Sequence, residues 1–474
     1  MARNGATAAP LLPLAAVVMP EDTMRRRNMF PFVCATLASM TTILVGYNLA
    51  LMSGAQLFIQ EDLGLSGVQV EVLTGSMNLF MLVSILAAGW VADMVGRRGT
   101  LLLANAFLMA GAIAMSAGGS YAALMAARSI TSIGVGFARV VAPVYNAEIS
   151  PASTRGVLSS LLDMFVNVGI LLSYLSNYIF AGLPVHLGWR VMFAAGALPP
   201  AFLAAGVLAM PESPRWLVMR GRHGEAHTVL VRTSDTPAEA DLRLEEMISL
   251  AATQADCGGV WKEMLVRPTK SVRRVLVCVL GLHFFQQAAG NEAIVLYSPL
   301  VFEKAGMAWT GAVLGATVTV GVVKTCFILV ATLLSDRVGR RPLLLASTAG
   351  VAAALAAVSL TLCVDAVSPA ACVASVLAFV AAFSVGFGPV VPTYTSEIMP
   401  LQLRAQGTSL GLAVNRVTCA LVTMTFISLA DAITMPGCFF LYAGVAAVAC
   451  AFVYVQLPET SGRSLEDMDV LFAK

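Results

Sequence analysis

The sequence has few charged residues. Asp, Glu, Lys and Arg make up only 12% of its 474 residues, about half the share in an average soluble domain. A chain of 49.6 kDa would need far more surface charge to form two or three soluble domains. Its small net charge of +2 provides no basic excess for binding nucleic acid. These shortages exclude an ordinary soluble enzyme, a disordered chain and a nucleic-acid-binding protein.

Patterns typical of metal and nucleotide sites are also missing. The four histidines form no cluster, and most of the nine cysteines lie in apolar runs, where Cys behaves as a small apolar residue. The sequence contains no phosphate-binding glycine loop and no nucleophile motif. We therefore predict no catalytic residue, no metal and no cofactor.

Apolar residues, by contrast, are abundant and occur in long runs. Hydrophobic residues make up 58% of the chain, and the mean hydropathy is +0.82. A membrane-spanning helix needs about 20 mostly apolar residues, whereas a barrel strand shows about ten alternating ones. Because the runs have helical length, the predicted fold class is an all-α membrane protein with twelve transmembrane helices. The predicted spans are 29–52, 72–92, 99–117, 120–144, 156–180, 189–210, 273–297, 309–335, 341–363, 370–394, 405–430 and 437–457.

Basic residues are concentrated on one side of the predicted spans. They precede the first span, follow several even-numbered spans and fill the segment 211–272, whereas the opposite loops carry only Arg190 and Lys304. The positive-inside rule places the basic side in the cytoplasm, with both chain termini. We expect a cytoplasmic tail at 1–28, a six-helix bundle at 29–210, a cytoplasmic linker with short helices at 211–272, a second bundle at 273–457 and a cytoplasmic tail at 458–474.

Three motifs at the ends of predicted spans in the first half recur in the second half at nearly the same offset. The Gly-Arg-Arg motif at 96–98 recurs at 339–341, an offset of 243 residues. A Glu followed by Arg seven residues later starts at Glu148 and again at Glu397, and a Pro-Glu pair occurs at Glu212 and at Glu459. The shared offset predicts a duplicated six-helix unit with a binding site between the halves, as in secondary transporters.

Acidic and basic side chains in these motifs lie at predicted helix ends. Ion pairs among them would hold neighbouring helices together in one conformation and release them in another. The alternative is that the arginines only satisfy the positive-inside rule. The predicted gating residues are Asp93, Arg97, Arg98, Glu148, Arg155, Glu212, Arg215, Asp336, Arg340, Arg341, Glu397, Arg404 and Glu459.

Together with other motifs, the repeats resemble the sugar porter family of the major facilitator superfamily. The matching stretches cover essentially the whole chain and include 89–98, 211–217, 286–287 and 458–463, and those at 283–287 and 415–418 are most similar to plant polyol and monosaccharide transporters. The resemblance implies two pseudo-symmetric six-helix halves that move a polyol or monosaccharide across a lipid bilayer by alternating access. It also implies a monomer without a nucleic-acid partner, in the plasma membrane rather than the vacuolar membrane.

Amide side chains inside the spans are the first candidates for substrate binding, because polar groups in a bilayer are costly and amides both donate and accept hydrogen bonds. By resemblance, Gln286 and Gln287, in the middle of the seventh span, and Asn415 in the eleventh would bind substrate hydroxyls. The alternative for each is a hydrogen bond that joins two helices.

Charged side chains occupy three positions where the family commonly has amides. These are Asp163, Glu292 and Lys324. We expect Lys324 to pair with Asp163 or Glu292 in the cavity, since an ion pair satisfies both charges where lipid does not. The alternative is pairing away from the substrate. Pro389 and Pro392 predict a break in the tenth span, because proline cannot donate a helical hydrogen bond.

Asn48 makes the coupling mode ambiguous. Proton-coupled relatives carry Asp in the first span, paired with the Arg that matches Arg128, whereas Asn48 cannot titrate. The resemblance favours proton-linked symport, and Asn48 favours facilitative uniport. Asp163 or Glu292 would replace the missing proton site if burial raised its pKa. A transport-inactive sugar sensor is a further alternative, which the short stretch after Pro458 disfavours.

Overall fold

The computed structural model describes residues 29–150, 155–234, 236–253, 269–364, 368–399 and 403–460. Within these ranges every regular element is helical. Eleven helical segments in the described ranges, two of them made of consecutive helices, are long and apolar enough to cross a membrane. The predicted seventh span provides the twelfth crossing as two shorter helices, so the all-α fold with twelve spans is confirmed.

The helices of the first half follow the predicted spans closely. The first helix is the exception, since it ends at Leu63 rather than near residue 52. The sixth span is divided into two helices ahead of Pro199 and Pro200. The helices are α1 (Met29–Leu63), α2 (Gly67–Val95), α3 (Arg97–Ala117), α4 (Tyr121–Ile149), α5 (Arg155–Phe180), α6 (Val185–Ala195) and α7 (Leu198–Ala209).

Three short helices follow: α8 (Pro214–Met219), α9 (His223–Thr233) and α10 (Pro237–Thr253). The hydroxyl of Ser213 accepts a hydrogen bond from the N–H of Trp216 and so caps the start of α8. Arg243 on α10 donates to the carbonyls of Glu148 and Ser150, each at 3.4 Å. These bonds attach the short helices to the end of α4.

The second half repeats the first with two interruptions. The predicted seventh span breaks at Gly290, whose φ of 81° is left-handed. The predicted tenth span passes through a π-helical turn at Phe383–Phe387 before Pro389. The helices are α11 (Lys270–Ala288), α12 (Asn291–Lys304), α13 (Thr310–Val338), α14 (Arg340–Cys363), α15 (Pro369–Ala382), α16 (Val390–Ile398), α17 (Arg404–Ile433) and α18 (Met435–Gln456).

Glycines allow α1 and α5 to pack backbone against backbone. A Cβ on Gly46 would lie 1.9 Å from the carbonyl oxygen of Val166, and a Cβ on Gly169 would lie 2.0 Å from that of Ile43. Such close approach supplies the van der Waals contact that stabilises helix pairs in lipid. Across the two halves, α2 packs on α17 and α5 packs on α13. The surfaces between these pairs enclose the candidate site.

Candidate substrate-binding site

A cavity of about 180 Å³ lies between the two halves. Its walls come from α1, α4 and α5 of the first half and from α11, α12, α13, the interrupted tenth span and α17 of the second. The tertiary structure therefore brings together side chains from distant parts of the sequence. All six residues predicted to bind substrate line this one cavity: Asp163, Gln286, Gln287, Glu292, Lys324 and Asn415.

Gln286 connects α11 to the broken tenth span. It lies near the end of α11, just before the break, and not in the middle of a continuous helix as predicted. Its Nε2 donates hydrogen bonds to the carbonyls of Phe387 (2.8 Å) and Gly388 (3.0 Å). Pro392 follows Gly388 by four residues and has no N–H for that carbonyl. Gln286 thus satisfies a backbone acceptor that the proline leaves free.

Asn415 is the centre of a hydrogen-bond chain between α11 and α17. Its Nδ2 donates to Gln286 Oε1 (2.8 Å) and to the carbonyl of His283 (3.3 Å). Its Oδ1 accepts from Gln287 Nε2 (3.3 Å) and from the Arg416 guanidinium (2.5 and 3.0 Å). The cation fixes the amide orientation, because only the oxygen of Asn415 can accept from it.

Four buried polar atoms of cavity-lining residues have no hydrogen-bond partner in the described part of the chain. They are Asn167 Oδ1, His283 Nδ1, Gln287 Oε1 and Ser384 Oγ. A buried polar atom without a partner costs free energy, on the order of 1–3 kcal/mol. A substrate hydroxyl can donate to Gln287 Oε1 and can exchange a hydrogen bond with Ser384. Both residues line the cavity.

Five charged side chains also line the cavity: Arg139, Asp163, Glu292, Lys324 and Arg416. Lys324 is only 8% exposed. Among the described residues, no carboxylate oxygen lies within 4 Å of the Lys324 ammonium, so neither expected ion pair is formed. Instead, Lys324, Arg139 and the two carboxylates face the same open space without a direct ion pair among them.

This arrangement suits a molecule rich in hydroxyl groups. Ammonium and guanidinium groups only donate hydrogen bonds, and ionised carboxylates only accept them. A hydroxyl placed between them accepts from one and donates to the other. Within the described ranges, no group of three or more His, Cys, Asp or Glu side chains is arranged to hold a metal ion.

Some cavity residues were not predicted to be site residues. Arg139 is visible in the sequence as a charge inside an apolar span, and that signal alone would have placed it here. Ser384 and Asn291 gave weaker signals, since a serine in a small-residue run and an asparagine after a glycine are common at helix breaks. Their position became apparent only from the interrupted seventh and tenth spans.

The predicted coupling pair lies outside the cavity lining. Asn48 Nδ2 donates to the carbonyl of Leu44, and the Asn48 carbonyl accepts from Arg128 Nη1 at 3.5 Å. Arg128 is fully buried, and its Nε and Nη2 have no hydrogen-bond partner in the described structure. The guanidinium of Arg128 thus lies beside Asn48.

In the first half, the repeat motifs converge into one polar network. Arg97 pairs with Asp93 (2.8 Å) and with Glu148 (3.1 Å). Glu212 accepts hydrogen bonds from the backbone N–H groups of Arg97 (2.9 Å) and Arg98 (3.1 Å). A carboxylate at this position satisfies free donors at the start of α3. These residues join α2, α3, α4 and the segment before α8.

The second half builds the same network from the repeated residues. Arg340 pairs with Glu397 (3.1 Å), and Glu459 accepts from the backbone N–H groups of Arg340 and Arg341, each at 3.0 Å. Thr460 donates to Glu397 (2.7 Å), as Ser213 donates to Glu148 in the first half. The duplication read from the sequence therefore has an equivalent in side-chain geometry.

The structure describes the side chains of only some of the other predicted gating residues. The side chains of Arg155, Asp336 and Arg404 lie outside the described part of the structure. Arg215 lies on α8. Glu212, three residues before Arg215, is bound to backbone N–H groups. The guanidinium of Arg98 donates to the carbonyl of Leu208 (2.5 Å). Each ion pair described in these networks joins residues of the same half.

Known proteins resemble this chain over nearly its whole length. The family model described as "Sugar (and other) transporter" matches residues 34–472. Polyol transporter 5 of Arabidopsis thaliana is 48% identical over 99% of this chain and 91% of its own length. Glucose transporter GlcP of Staphylococcus epidermidis is 31% identical, over 91% of this chain and 95% of its own length.

Solved structures share the architecture. The inward-open xylose transporter XylE from E. coli matches with a TM-score of 0.81 at 24% identity, covering 93% of this chain and all of that chain (100%). The proton:xylose symporter XylE bound to 6-bromo-6-deoxy-D-glucose matches with a TM-score of 0.77 at 26% identity, covering 94% and 99%. The duplicated helices, the cavity between the halves and these matches show that the chain is an integral, multi-pass membrane transporter and not an enzyme, and that it belongs to the sugar porter family of the major facilitator superfamily.

Proposed function

We propose that this protein is a secondary transporter that moves polyols and monosaccharides across a membrane by alternating access. The observation that carries the proposal is the cavity between the halves, where amide and charged side chains from both halves face one space. The polyol and glucose transporters among its relatives support this substrate class. A cavity at the interface of two pseudo-symmetric halves is where such carriers bind their substrates.

The cavity residues have different proposed roles. Gln287 binds a substrate hydroxyl directly, because its Oε1 has no described partner. Asp163, Glu292 and Lys324 supply further acceptors and donors around the substrate. Gln286 and Asn415 lie at the same surface, but their amides already hydrogen-bond within the protein. In this conformation they fix the shape of the site, and binding substrate directly would require them to exchange protein partners.

We propose proton-linked symport as the transport mode, supported by the proton:xylose symporter among the structural relatives. Because Asn48 cannot titrate, the proton site would be Asp163 or Glu292, which line the cavity. Facilitative uniport is the second candidate, favoured by the unpartnered guanidinium nitrogens of Arg128 beside Asn48. In that case no group in the first span exchanges a proton during the cycle.

The ion-pair networks are proposed to act as gates at the cytoplasmic end, around Arg97–Glu148 and Arg340–Glu397. Excess Lys and Arg at this end supports placing both termini and the segment 211–272 in the cytoplasm. We propose the plasma membrane as the location and the monomer as the working unit.

Uptake into proteoliposomes tests the function. Radiolabelled sorbitol, mannitol, myo-inositol, xylose and glucose are offered with and without an inward proton gradient. Saturable uptake of at least one is expected, with accumulation above equilibrium that an uncoupler abolishes. Saturable uptake that only equilibrates would replace symport with uniport. If none of the five shows saturable flux, the carrier proposal is wrong, and binding without flux would favour a sensor.

A further inference from the structure

One position of the α17 backbone is engaged by side chains from two other helices. In a helix, the N–H of residue 427 faces the carbonyl of residue 423. Here the N–H of Ile427 donates to Glu71 Oε1 at 2.6 Å, and the carbonyl of Thr423 accepts from the Tyr297 hydroxyl at 2.7 Å. The N–H of Ile427 and the carbonyl of Thr423, which would face each other in a regular helix, therefore each bond to a side chain of another helix.

Glu71 makes further bonds to the same turn. Ser428 donates its N–H to both carboxylate oxygens (3.2 and 3.3 Å) and its hydroxyl to Oε2 (2.5 Å). The Glu71 side chain is completely buried, at 0% exposure, and no described Lys, Arg or His lies within 4 Å of it. A carboxylate suits this place because its oxygens accept several bonds and need no donor in return. We call Glu71, Ile427 and Ser428 the Glu71 contact.

The Glu71 contact joins the two halves, since Glu71 is on α2 and its partners are on α17. Two similar bonds lie near it. Gln56 Nε2 donates to the carbonyl of Leu296 (3.0 Å), and the Tyr174 hydroxyl donates to that of Val295 (2.9 Å). Each is a bond from a first-half side chain to a second-half backbone group.

The Val295 carbonyl has a specific reason to need a partner. Pro299 follows it by four residues within α12 and has no N–H to donate. Tyr174, on α5, supplies the missing donor. These contacts lie near the start of α2 and the ends of α1, α5 and α17, which is the end of the bundle away from the ion pairs of Arg97 and Arg340. That end is the extracellular one in the proposed orientation.

We propose that Glu71 is a gate-positioning residue of the transport cycle: its carboxylate holds α17 against α2 and closes the cavity at the end away from the Arg97 and Arg340 networks. This inference rests on the proposed alternating access. When the halves separate at this end, α2 and α17 move apart and the carboxylate exchanges peptide N–H donors for water. Because water also hydrates a carboxylate well, the exchange is close to balanced and reversible. That balance allows the contact to break and re-form in each cycle.

The test compares Glu71→Gln with Ser428→Ala and with Glu61→Gln, a matched change of an exposed carboxylate near the same end. Initial uptake rates in proteoliposomes give KM and the maximum rate per folded transporter. Loss of the Glu71 contact favours the state open at that end. We therefore expect apparent KM for substrate added at that end to fall, and the maximum rate to fall about fivefold or more because closure is slower. Ser428→Ala should change both in the same direction by less, and Glu61→Gln should change neither.

Hydrogen–deuterium exchange in lipid nanodiscs supplies a measurement that needs no substrate. The peptide containing Ile427 and Ser428 should exchange about tenfold faster in Glu71→Gln than in the wild type. Faster exchange with unchanged KM and maximum rate would show a merely structural contact and overturn the proposal. Unchanged exchange would overturn it as well. If the wild type transports nothing, the proposed function fails, while the exchange result still decides whether Glu71 holds α17. If Glu71→Gln does not fold, Ser428→Ala decides by the same measurements.

Discussion

The side chain of Gln286 donates a hydrogen bond to the carbonyl of Gly388, which Pro392 leaves without a helical partner. Proline at position 392 and glutamine at position 286 therefore act together, one opening the tenth span and the other satisfying the opened backbone. The amide nitrogen of Gln287, by contrast, binds Asn415 while its oxygen has no described partner. Two adjacent glutamines thus have different surroundings.

This difference predicts different effects of the same substitution. Gln286→Ala removes the donor to the buried carbonyl of Phe387 and the half-buried one of Gly388. This loss costs on the order of 1–3 kcal/mol, so the thermal midpoint and the yield of folded protein should fall. Gln287→Ala should raise KM about tenfold or more with a smaller loss of thermal stability. Fluorescence-detected size-exclusion chromatography after heating gives the midpoint, and uptake gives KM. Equal effects of the two variants on both quantities would contradict the assignment.

Gly96 and Gly339 provide a matched pair in the two halves. Their backbones are nearly identical, with φ of 95° and 93°, in a region that side chains disfavour by about 1–3 kcal/mol. A Cβ on Gly96 would also lie 2.3 Å from Glu212 Oε2, whereas one on Gly339 would lie 3.3 Å from the Glu459 carboxylate. Both Ala variants should unfold at lower temperature than the wild type, and Gly96→Ala should lose more. A larger loss for Gly339→Ala would mean that Glu212 moves aside readily.

Lys324 is buried without an ion pair, so its charge is expected to reduce stability. Lys324→Met keeps the length of the side chain and removes the desolvation penalty. The thermal midpoint should rise by roughly a few degrees while transport falls at least about tenfold, the exchange of stability for function seen at many binding sites. Lys304→Met, at an exposed lysine, is the control and should leave both quantities unchanged. A less stable Lys324→Met would show that the ammonium has a stabilising role.

Asn48→Asp tests whether a carboxylate at position 48 is the only group that the first span lacks for coupling transport to protons. The new carboxylate would lie beside the buried Arg128, whose Nε and Nη2 have no described partner. We expect a higher ratio of internal to external substrate than in the wild type, and loss of that increase with an uncoupler. The double variant Asn48→Asp/Arg128→Gln should not show the increase, because the new carboxylate then has no cation to pair with. Identical ratios of internal to external substrate in the single variant and the wild type would show that residue 48 does not determine proton coupling.

The sequence predicted well those features that depend on composition and local pattern. Span positions follow from apolar length, because a helix must cross a bilayer of fixed thickness. The repeats around Glu148 and Glu397 indicated duplication, and the networks of the two halves match. The partners were less predictable. Glu148 was predicted to form an ion pair within the repeated motifs, and its described partner is Arg97, at the start of another helix. The side chain of Arg155 lies outside the described residues.

The helix breaks were predicted only in part. Pro389 and Pro392 indicated the break in the tenth span, because a missing N–H is a local property. The break at Gly290 was not predicted, since a single glycine inside an apolar run is compatible with a continuous helix in a membrane. It is the break that moves Gln286 and Gln287 from the middle of a helix to its end. There their amides reach α17 and the interrupted tenth span.

By itself, the sequence determined that the chain spans a membrane twelve times and that its motifs repeat in two halves. It also predicted six substrate-binding residues, and all six line one cavity. These properties depend on composition and on spacing along the chain. Only the tertiary structure decided that Lys324 faces Glu292 across open space rather than in a direct ion pair, that Gln286 bonds to the backbone, and that Glu71 joins α2 to α17. Those contacts join residues more than 30 positions apart, up to 357 for Glu71 and Ser428, so they depend on how whole helices pack and on which backbone groups a proline leaves free.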